Sequence, residues 1–249
     1  MNCNSDNLVI FTNDDGSETF EEMVSGAVEG MHIEVSGAGN RLRIAKGQTF
    51  VGCNLNISGN NNTLNIELSK NPIYHSLFHF APPGHERSIT IGAGFSGGGH
   101  FRVVEDGTYI KIGERCLFSW DITVMASDYH AIYDDTGHVI NKATSLTIGD
   151  DVWVGCKTTI LKDTTIPDGC IIGANSVITR PFEDKRCLIA GNPARIIKKN
   201  VRWNYYEPHL APTIEAVLPD QNSTEPSRKR GSLMSLLQRF RILQPKTNI

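Results

Sequence analysis

Residues 148–183 read, in units of six, IGDDVW, VGCKTT, ILKDTT, IPDGCI, IGANSV and ITRPFE. An aliphatic, β-branched residue opens every unit, at positions 148, 154, 160, 166, 172 and 178. The fifth position of the first five units holds a compact side chain: Val152, Thr158, Thr164, Cys170 and Ser176. A helix repeats its apolar residues about every 3.6 positions and a half-buried strand every 2. A period of six therefore indicates short flat strands joined by tight corners.

The same phase continues upstream, where Ile112, Phe118 and Val124 stand in register with Ile148. Less regular pairs of aliphatic residues precede them: Ile33/Val35, Leu42/Ile44, Leu55/Ile57, Leu64/Ile66, Ile89/Ile91 and Ile110/Ile112. Corners rich in Gly and Asn, such as residues 59–62, separate these pairs and suit left-handed backbone angles. We predict an all-β solenoid whose three sides make coils of about 18 residues, stacked at the usual sheet spacing. A β-sandwich is the alternative, but it has no reason to keep a period of six.

The pattern divides the chain into three parts. We assign residues 1–29 to an N-terminal cap, residues 30–199 to the solenoid and residues 200–249 to an extended, proline-bearing arm. A polar stretch, residues 129–147, breaks the repeat and is typical of a loop that leaves a regular scaffold. An amphipathic helix is predicted near residues 232–243, with five apolar side chains on one face.

Composition excludes several classes of protein. The 24 Lys and Arg residues against 27 Asp and Glu give a net charge of -3, which argues against a nucleic-acid-coating protein. No apolar run reaches the roughly 18–20 residues that a membrane span needs, and the acidic N-terminus is unlike a signal peptide. The six cysteines form no C-x-x-C pair, so we expect reduced thiols and no metal site. We expect a cytoplasmic protein.

Three parts of the chain carry a resemblance to a known family. They are SDYHAIYD at 127–134, IGDDVWVG at 148–155, and IGANSV at 172–177 followed by AGNPAR at 190–195. These resemble the hexapeptide-repeat acyltransferases, in the branch that O-acetylates sugars and capsular or lipopolysaccharide-type polysaccharides. The resemblance implies a left-handed parallel β-helix, an exception to the usual right-handed crossover. It also implies a homotrimer that binds acetyl-CoA in grooves between subunits.

The implied reaction needs a base, because an alcohol attacks a thioester poorly until its proton is removed. His130 matches the catalytic histidine of the family motif, and a neutral imidazole is available near pH 7. Asp128, Asp134, Asp135 or a backbone carbonyl would orient it, and the sequence does not choose among them. His138, in the same loop, is assigned to the surface.

A negative charge develops on the thioester oxygen and needs a fixed donor. Main-chain amides at the corners, or the indole N–H of Trp153, would supply it. The resemblance places Trp153 beside the catalytic histidine and the thioester, and a subunit contact is the alternative role. Within this reading the protein is an acetyl-CoA-dependent O-acetyltransferase. The alternatives are an N-acetyltransferase acting on a nucleotide amino-sugar and a non-catalytic trimeric scaffold or sugar-binding protein.

Coenzyme A calls for a narrow groove and for cations near its phosphates. The candidates are Trp153, Gly155, Gly173, Ala174, Thr179, Arg180, Arg195, Lys198 and Lys199. Pro193 ends the last regular coil and turns the chain across the groove.

The sequence leaves more than one role possible for two further segments. The aromatic and histidine-rich residues 71–99 would contact either the acceptor or a neighbouring subunit. For the helix near 232–243 we favour packing on the trimer or on a neighbouring protomer over peripheral membrane contact.

Overall fold

The computed structural model describes residues 7–205 and residue 208, and all its regular secondary structure is strand. Within these limits no helix could span a membrane. The strands are β1 (Leu8–Thr12), β2 (Glu18–Glu22), β3 (Met31–Val35), β4 (Arg41–Ala45), β5 (Phe50–Val51), β6 (Cys53–Ile57), β7 (Thr63–Ile66), β8 (Ile73–Tyr74), β9 (Leu77–Phe80), β10 (Ser88–Ile91), β11 (His100–Val103), β12 (Tyr109–Ile112), β13 (Leu117–Phe118), β14 (Thr123–Met125), β15 (Ser145–Ile148), β16 (Trp153–Val154), β17 (Thr159–Leu161), β18 (Thr165–Ile166), β19 (Ile171–Ile172), β20 (Val177–Ile178), β21 (Leu188–Gly191) and β22 (Ala194–Lys198).

The strands stack into three faces. Face 1 contains β2, β1, β4, β7, β10, β12, β15 and β18 in stacking order, and face 2 contains β3, β6, β9, β11, β14, β17 and β20. Face 3 begins with β5 and β8, continues through single bridges at Ser96 and Gly97, and ends with β13, β16, β19, β21 and β22. From the second coil onward the chain runs from face 1 to face 3 to face 2, and neighbouring coils pair in parallel. This is the predicted solenoid, a parallel β-helix.

The register confirms the hexapeptide phase. In the C-terminal coils Thr147 pairs with Thr165 and Thr159 with Val177, each a step of 18 residues. Upstream, Arg41 pairs with Thr63 and Thr63 with Ser88, which are steps of 22 and 25 residues. The longer steps occur because the corners of these coils are longer. That is why the N-terminal part of the sequence shows paired aliphatics without a strict period.

The interior is a continuous apolar column. All six unit-opening aliphatic residues between positions 148 and 178 are at most 1% exposed. Aromatic rings fill the middle coils: Phe78 stacks on Phe101 at a centroid distance of 5.3 Å, and Phe118 packs against both Phe101 and Phe95. Because each coil covers the inward side chains of the next, the stack buries what no single coil could.

A ladder of buried amides lines the corner between faces 2 and 1 in the first coils. Asn40 Nδ2 donates to Asn7 Oδ1 and Asn62 Nδ2 to Asn40 Oδ1, both at 2.9 Å. Arg87, which is fully buried, ends the ladder with a 2.9 Å bond from Nε to Asn62 Oδ1. Its guanidinium also donates to the carbonyls of Ser58, Ala81, Val103 and Val104. Burial lowers the pKa of Arg87 to about 10, yet its donors are well satisfied.

The ends and the loop refine the predicted boundaries. β1 lies within residues 1–29 but already pairs in parallel with β4, and β2 folds back on it. The long irregular segment runs from 126 to 144, and β15 begins at Ser145 because Leu146 and Ile148 alternate into the core. β21 and β22 are antiparallel, joined at Asn192 and Pro193. The helix predicted near 232–243 lies outside the described residues.

Candidate active site

A long loop carries the predicted catalytic histidine. This loop, residues 126–144, leaves the β-helix after β14 on face 2 and returns to β15 on face 1. Glu105, at the same corner one coil earlier, fastens both of its ends. Ser127 Oγ donates to Glu105 Oε1 at 3.2 Å, and the Ala143 amide donates to Glu105 Oε2 at 2.9 Å. Both ends of the loop are therefore fixed to the β-helix at this corner.

The tip of the loop is a small hairpin. Tyr133 and Val139 form an antiparallel bridge, and the Asp134 carboxylate accepts from Thr136 and from the His138 amide within the turn. The Thr136 hydroxyl is the main reason that the pKa of Asp134 lies below its usual value. Asp134 is thus committed to the turn rather than to His130.

Asn141 holds the backbone around His130. Its Nδ2 donates to the His130 carbonyl and to Asp128 Oδ2, both at 2.9 Å, and its Oδ1 accepts from the Ile132 amide at 2.8 Å. The His130 side chain is exposed, and its ring has no hydrogen-bond partner within the described residues. The imidazole is therefore presented outward on a fixed piece of chain.

Lys162 completes the loop base. Its ammonium lies 3.1 Å from Asp128 Oδ2 and also donates to the Asn141 carbonyl. Among the carboxylates considered for orienting His130, Asp128 thus already bonds to Lys162 and Asn141. Next to it, Asp163 accepts from both the amide and the hydroxyl of Thr144 at 2.8 Å. Burial opposes ionisation of Asp163, but the Thr144 bonds outweigh it and lower its pKa.

Trp153 lies on face 3, between Leu117 and Ile171 in the stack, and is 37% exposed. The ring of Trp203 packs on it at a centroid distance of 6.0 Å and a tilt of 44°. The indole N–H of Trp203 donates to the Asp151 carbonyl at 2.6 Å. No hydrogen bond of Trp153 Nε1 is found within the described residues. The repeat pattern predicts no role for Trp203, because this residue lies beyond the last repeat.

The two predicted catalytic residues stand on opposite sides of one subunit. The loop with His130 leaves from the corner between faces 2 and 1, whereas Trp153 lies on face 3. In a three-sided coil that corner is opposite face 3. A single subunit therefore does not place His130 beside Trp153.

The predicted coenzyme A residues fall into three groups. Gly155, Gly173 and Ala174 lie at the corner between faces 3 and 2, and Thr179 and Arg180 follow β20 at the corner after face 2. The cations Arg195 and Lys198 lie on β22, with Lys199 directly after it. All are exposed except Gly155, which is buried, and Gly173, which is half-buried.

The two glycines have a packing role. A Cβ on Gly155 would lie 2.7 Å from the Ala174 amide nitrogen, and a Cβ on Gly173 would lie 2.9 Å from the Ala190 Cβ. Neighbouring coils approach too closely there for a side chain. The absence of bulk at this corner therefore follows from coil stacking, independently of any ligand.

Some of the candidate cations already have partners. Lys199 Nζ forms a 2.7 Å ion pair with Asp184, whose carboxylate raises the pKa of Lys199. The Arg180 guanidinium lies over the Phe182 ring at 5.6 Å. Arg195 donates to the Ala194 carbonyl next to it at 2.8 Å. Lys198 is exposed on β22.

The outward side chains of the three faces differ in character. Face 1 presents mostly polar residues, such as Arg43, Asn65, Thr90 and Lys111. In its last four coils face 3 presents an apolar stripe of side chains in one register column: Leu117, Trp153, Ile171 and Leu188. Exposed apolar patches of this kind mark interaction surfaces.

The fold and the loop together define a β-helical protein of the hexapeptide-repeat type with one long, histidine-bearing loop. Residues 7–205 and 208 contain no group of three or more His, Cys, Asp or Glu side chains arranged to hold a metal ion. Residues 145–180 match a family model described as "Bacterial transferase hexapeptide (six repeats)".

Comparison with known proteins narrows the class. The chain is 39% identical to a polysialic acid O-acetyltransferase of Escherichia coli O1:K1 / APEC, over 47% of this chain and 36% of that protein. It is 29% identical to a polysialic acid O-acetyltransferase of Neisseria meningitidis, over 69% of this chain and 78% of that protein. A crystal structure of the polySia-specific acetyltransferase NeuO superposes with a TM-score of 0.64 at 27% identity, covering 82% of this chain and 87% of that one.

The matched region thus spans about a third of the Escherichia coli relative and over three quarters of the Neisseria relative. The hexapeptide repeats, the fold and the relatives all indicate the same class of protein. By its repeats, its fold and its relatives, the chain resembles the hexapeptide-repeat acetyltransferases, polysialic acid O-acetyltransferases among them.

Proposed function

We propose that this protein transfers an acetyl group from acetyl-CoA to a sugar hydroxyl of a bacterial capsular polysaccharide, with polysialic acid as the first acceptor to test. The single observation that carries the proposal is the exposed His130 on a rigidly anchored loop of a hexapeptide-repeat β-helix. The similarity to polysialic acid O-acetyltransferases supports the class of acceptor. The supply of acetyl-CoA would place the reaction in the cytoplasm.

In the proposed mechanism His130 acts as general base. Its neutral imidazole takes the proton of the acceptor hydroxyl while the oxygen attacks the thioester carbonyl. The tetrahedral intermediate then collapses, the C–S bond breaks, and the coenzyme A thiolate leaves with the proton returned from the imidazolium. Asn141 and Lys162 support this role by fixing the loop around the histidine.

The oxyanion of the intermediate needs a donor that is already in place. We propose the indole N–H of Trp153, which makes no other hydrogen bond within the described part of the chain. Trp203 packs against this ring and uses its own N–H on Asp151, so it acts as a positioning residue. Main-chain amides at the corner of Gly155 and Ala174 are the alternative donors.

We further propose that the enzyme is a homotrimer with its active sites between subunits. The apolar stripe of face 3 supports a subunit contact on this face. A contact between face 3 of one subunit and the His130 loop of the next is heterologous, and a three-fold rotation closes it into a ring. It would bring Trp153 of one subunit to His130 of its neighbour, which one chain alone does not do. We also propose that the β-helix winds in the left-handed sense that the family resemblance implies.

Coenzyme A would lie along the corner where Gly155, Gly173 and Ala174 leave the wall low. Its phosphates would then meet the exposed cations that follow β20 and lie on β22. Of these, Lys198 and Arg195 have no carboxylate partner within the described residues. We therefore propose them as the main phosphate contacts.

A thiol-release assay tests the proposal. The wild-type protein is incubated with acetyl-CoA and a panel of free sugars, polysialic acid oligomers and purified surface polysaccharides. We expect release of coenzyme A that depends on a polysaccharide acceptor. Release that depends instead on a nucleotide amino-sugar would replace the proposal by N-acetylation, and absence of acetyl-CoA binding would favour a non-catalytic scaffold.

A further inference from the structure

A cleft lies outside the proposed catalytic centre, at the corner between faces 3 and 2 in the middle coils. Its volume is about 550 Å³, within the range of small-molecule sites. Side chains of three successive coils line it, with Tyr74 and His75 on one side and Trp120 and Asp121 on the other. Between them lies the fourth coil, which contributes His100 and three glycines.

The floor of the cleft is bare for a structural reason. A Cβ on Gly97 would lie 1.9 Å from the Phe118 carbonyl oxygen, and a Cβ on Gly98 would lie 1.8 Å from the Tyr74 carbonyl oxygen. The coils approach so closely that no side chain fits between them. One coil of the stack therefore leaves a notch, and the side chains of the coils before and after it form walls.

The walls expose two aromatic faces. The Trp120 side chain is 67% exposed and that of Tyr74 is 43% exposed, although both belong to well-packed coils. Coil stacking fixes the backbone of Trp120, since its carbonyl accepts from the Lys157 amide at 3.0 Å. Hydrogen-bonding groups stand beside the rings, on His75, His100 and Asp121. This combination of apolar faces and a few polar groups is typical of a ligand site.

The cleft adjoins the proposed coenzyme A groove. Trp120 and Cys156 occupy equivalent places at the same corner in consecutive coils, because the flanking strands pair with a step of 36 residues, and Gly155 directly precedes Cys156. Ala174 lies at this corner one coil further on. A molecule in the cleft would therefore lie in line with the bound coenzyme, toward the N-terminal coils.

We propose that this cleft is a binding subsite for a sugar ring of the acceptor glycan. The inference rests on the proposed function and names a place where the polymer is held beside the transfer site. A pyranose ring offers one face of C–H groups, which suits stacking on the negative face of an aromatic ring, and hydroxyl or carboxylate groups at its edge. Trp120 and Tyr74 supply the stacking faces, and His75, His100 and Asp121 supply polar contacts at the edge.

The test separates this subsite from the catalytic centre. Polysialic acid oligomers are the probe, and their dissociation constant is measured by calorimetry with the full-length protein in the absence of acetyl-CoA. The variants are Trp120→Ala, Tyr74→Ala and the conservative Trp120→Phe. Tyr109→Ala is the matched control, because Tyr109 is an exposed aromatic residue on face 1.

We expect Trp120→Ala to weaken binding of the oligomers about tenfold, which corresponds to about 1.4 kcal/mol. Tyr74→Ala should weaken it as well, whereas Trp120→Phe and Tyr109→Ala should stay within about twofold. In the transfer assay Trp120→Ala should raise KM for the polymer and leave acetyl-CoA binding unchanged.

Two results would overturn the subsite and leave the proposed function standing. One is transfer to polysialic acid with unchanged binding in Trp120→Ala. The other is dissociation of the trimer by Trp120→Ala in light scattering, which would make the residue a subunit contact. A wild-type protein that binds acetyl-CoA but neither binds nor acetylates any glycan would instead overturn the proposed function, and the subsite with it.

Discussion

The neighbours of His130 fix the position of its backbone. The Asn141 side chain donates to the His130 carbonyl and the Asp128 carboxylate, and it accepts from the Ile132 amide. Lys162, largely buried, then holds both Asp128 and the Asn141 carbonyl. A small displacement of a catalytic base is costly, because proton transfer requires hydrogen-bond distance in the reacting complex. We therefore propose Asn141 as the residue that positions His130.

Replacing Asn141 by Ala should lower kcat by about tenfold or more through loss of this positioning. The KM for acetyl-CoA should change little, since the coenzyme is proposed to bind along another corner. Steady-state kinetics of the purified variant measure both parameters. The matched control is His138→Ala, a change in the same loop at an exposed side chain. Equal losses in the two variants would contradict a specific role for Asn141.

The sequence identifies His130 because a motif surrounds it, but it does not reveal the residues that hold it. Glu105, Asn141 and Lys162 are far apart in the chain and lie in unremarkable contexts. They meet only because three coils place their corners above one another. Pairings of this kind depend on the register between coils, which the irregular lengths of the N-terminal coils conceal.

At the scale of the elements, the repeat predicts the strands well where each side is six residues long. From β15 to β20 every unit-opening aliphatic residue is buried, as the pattern requires. For the glycines between faces 3 and 2 the sequence predicts only a coenzyme groove. The structure shows that the packing of adjacent coils also requires them. Gly155 and Gly173 leave no room for a Cβ between adjacent coils.

Gly155→Ala should therefore destabilise the fold even without any ligand. The new methyl group would press on the Ala174 nitrogen and the Ile172 carbonyl, which are backbone atoms and yield little. Overpacking of this kind costs about 1–3 kcal/mol, and Tm should fall by roughly 2–4 °C per kcal/mol. Differential scanning calorimetry measures the change. Thr179→Ala, at an exposed corner, is the control and should leave Tm almost unchanged.

For the whole molecule, the contrast between the faces is the informative feature. Face 1 is polar outside, whereas face 3 presents aligned apolar side chains in its last four coils. The sequence alone does not show this contrast, because it depends on which residues between the buried aliphatics point outward on each side. The same contrast supports a site shared between subunits, since His130 and Trp153 of one chain stand apart.

Leu117→Glu should dissociate the proposed trimer. Leu117 lies half-buried on face 3 directly beside Trp153, and an unpaired carboxylate in an apolar contact carries a large desolvation penalty. Light scattering should report monomers, and transfer activity should be lost with the assembly. The control is Thr90→Glu, which places the same charge outward on face 1. A Leu117→Glu protein that remains trimeric would rule out face 3 as the subunit contact.

Acceptor-dependent release of coenzyme A, compared between wild-type protein and His130→Ala, decides whether this histidine is the general base. If His130 is the general base, turnover should fall by about 10²- to 10⁴-fold, while the dissociation constant of acetyl-CoA stays nearly unchanged. Turnover of the variant equal to that of the wild type, with the acceptor saturating, would contradict the account.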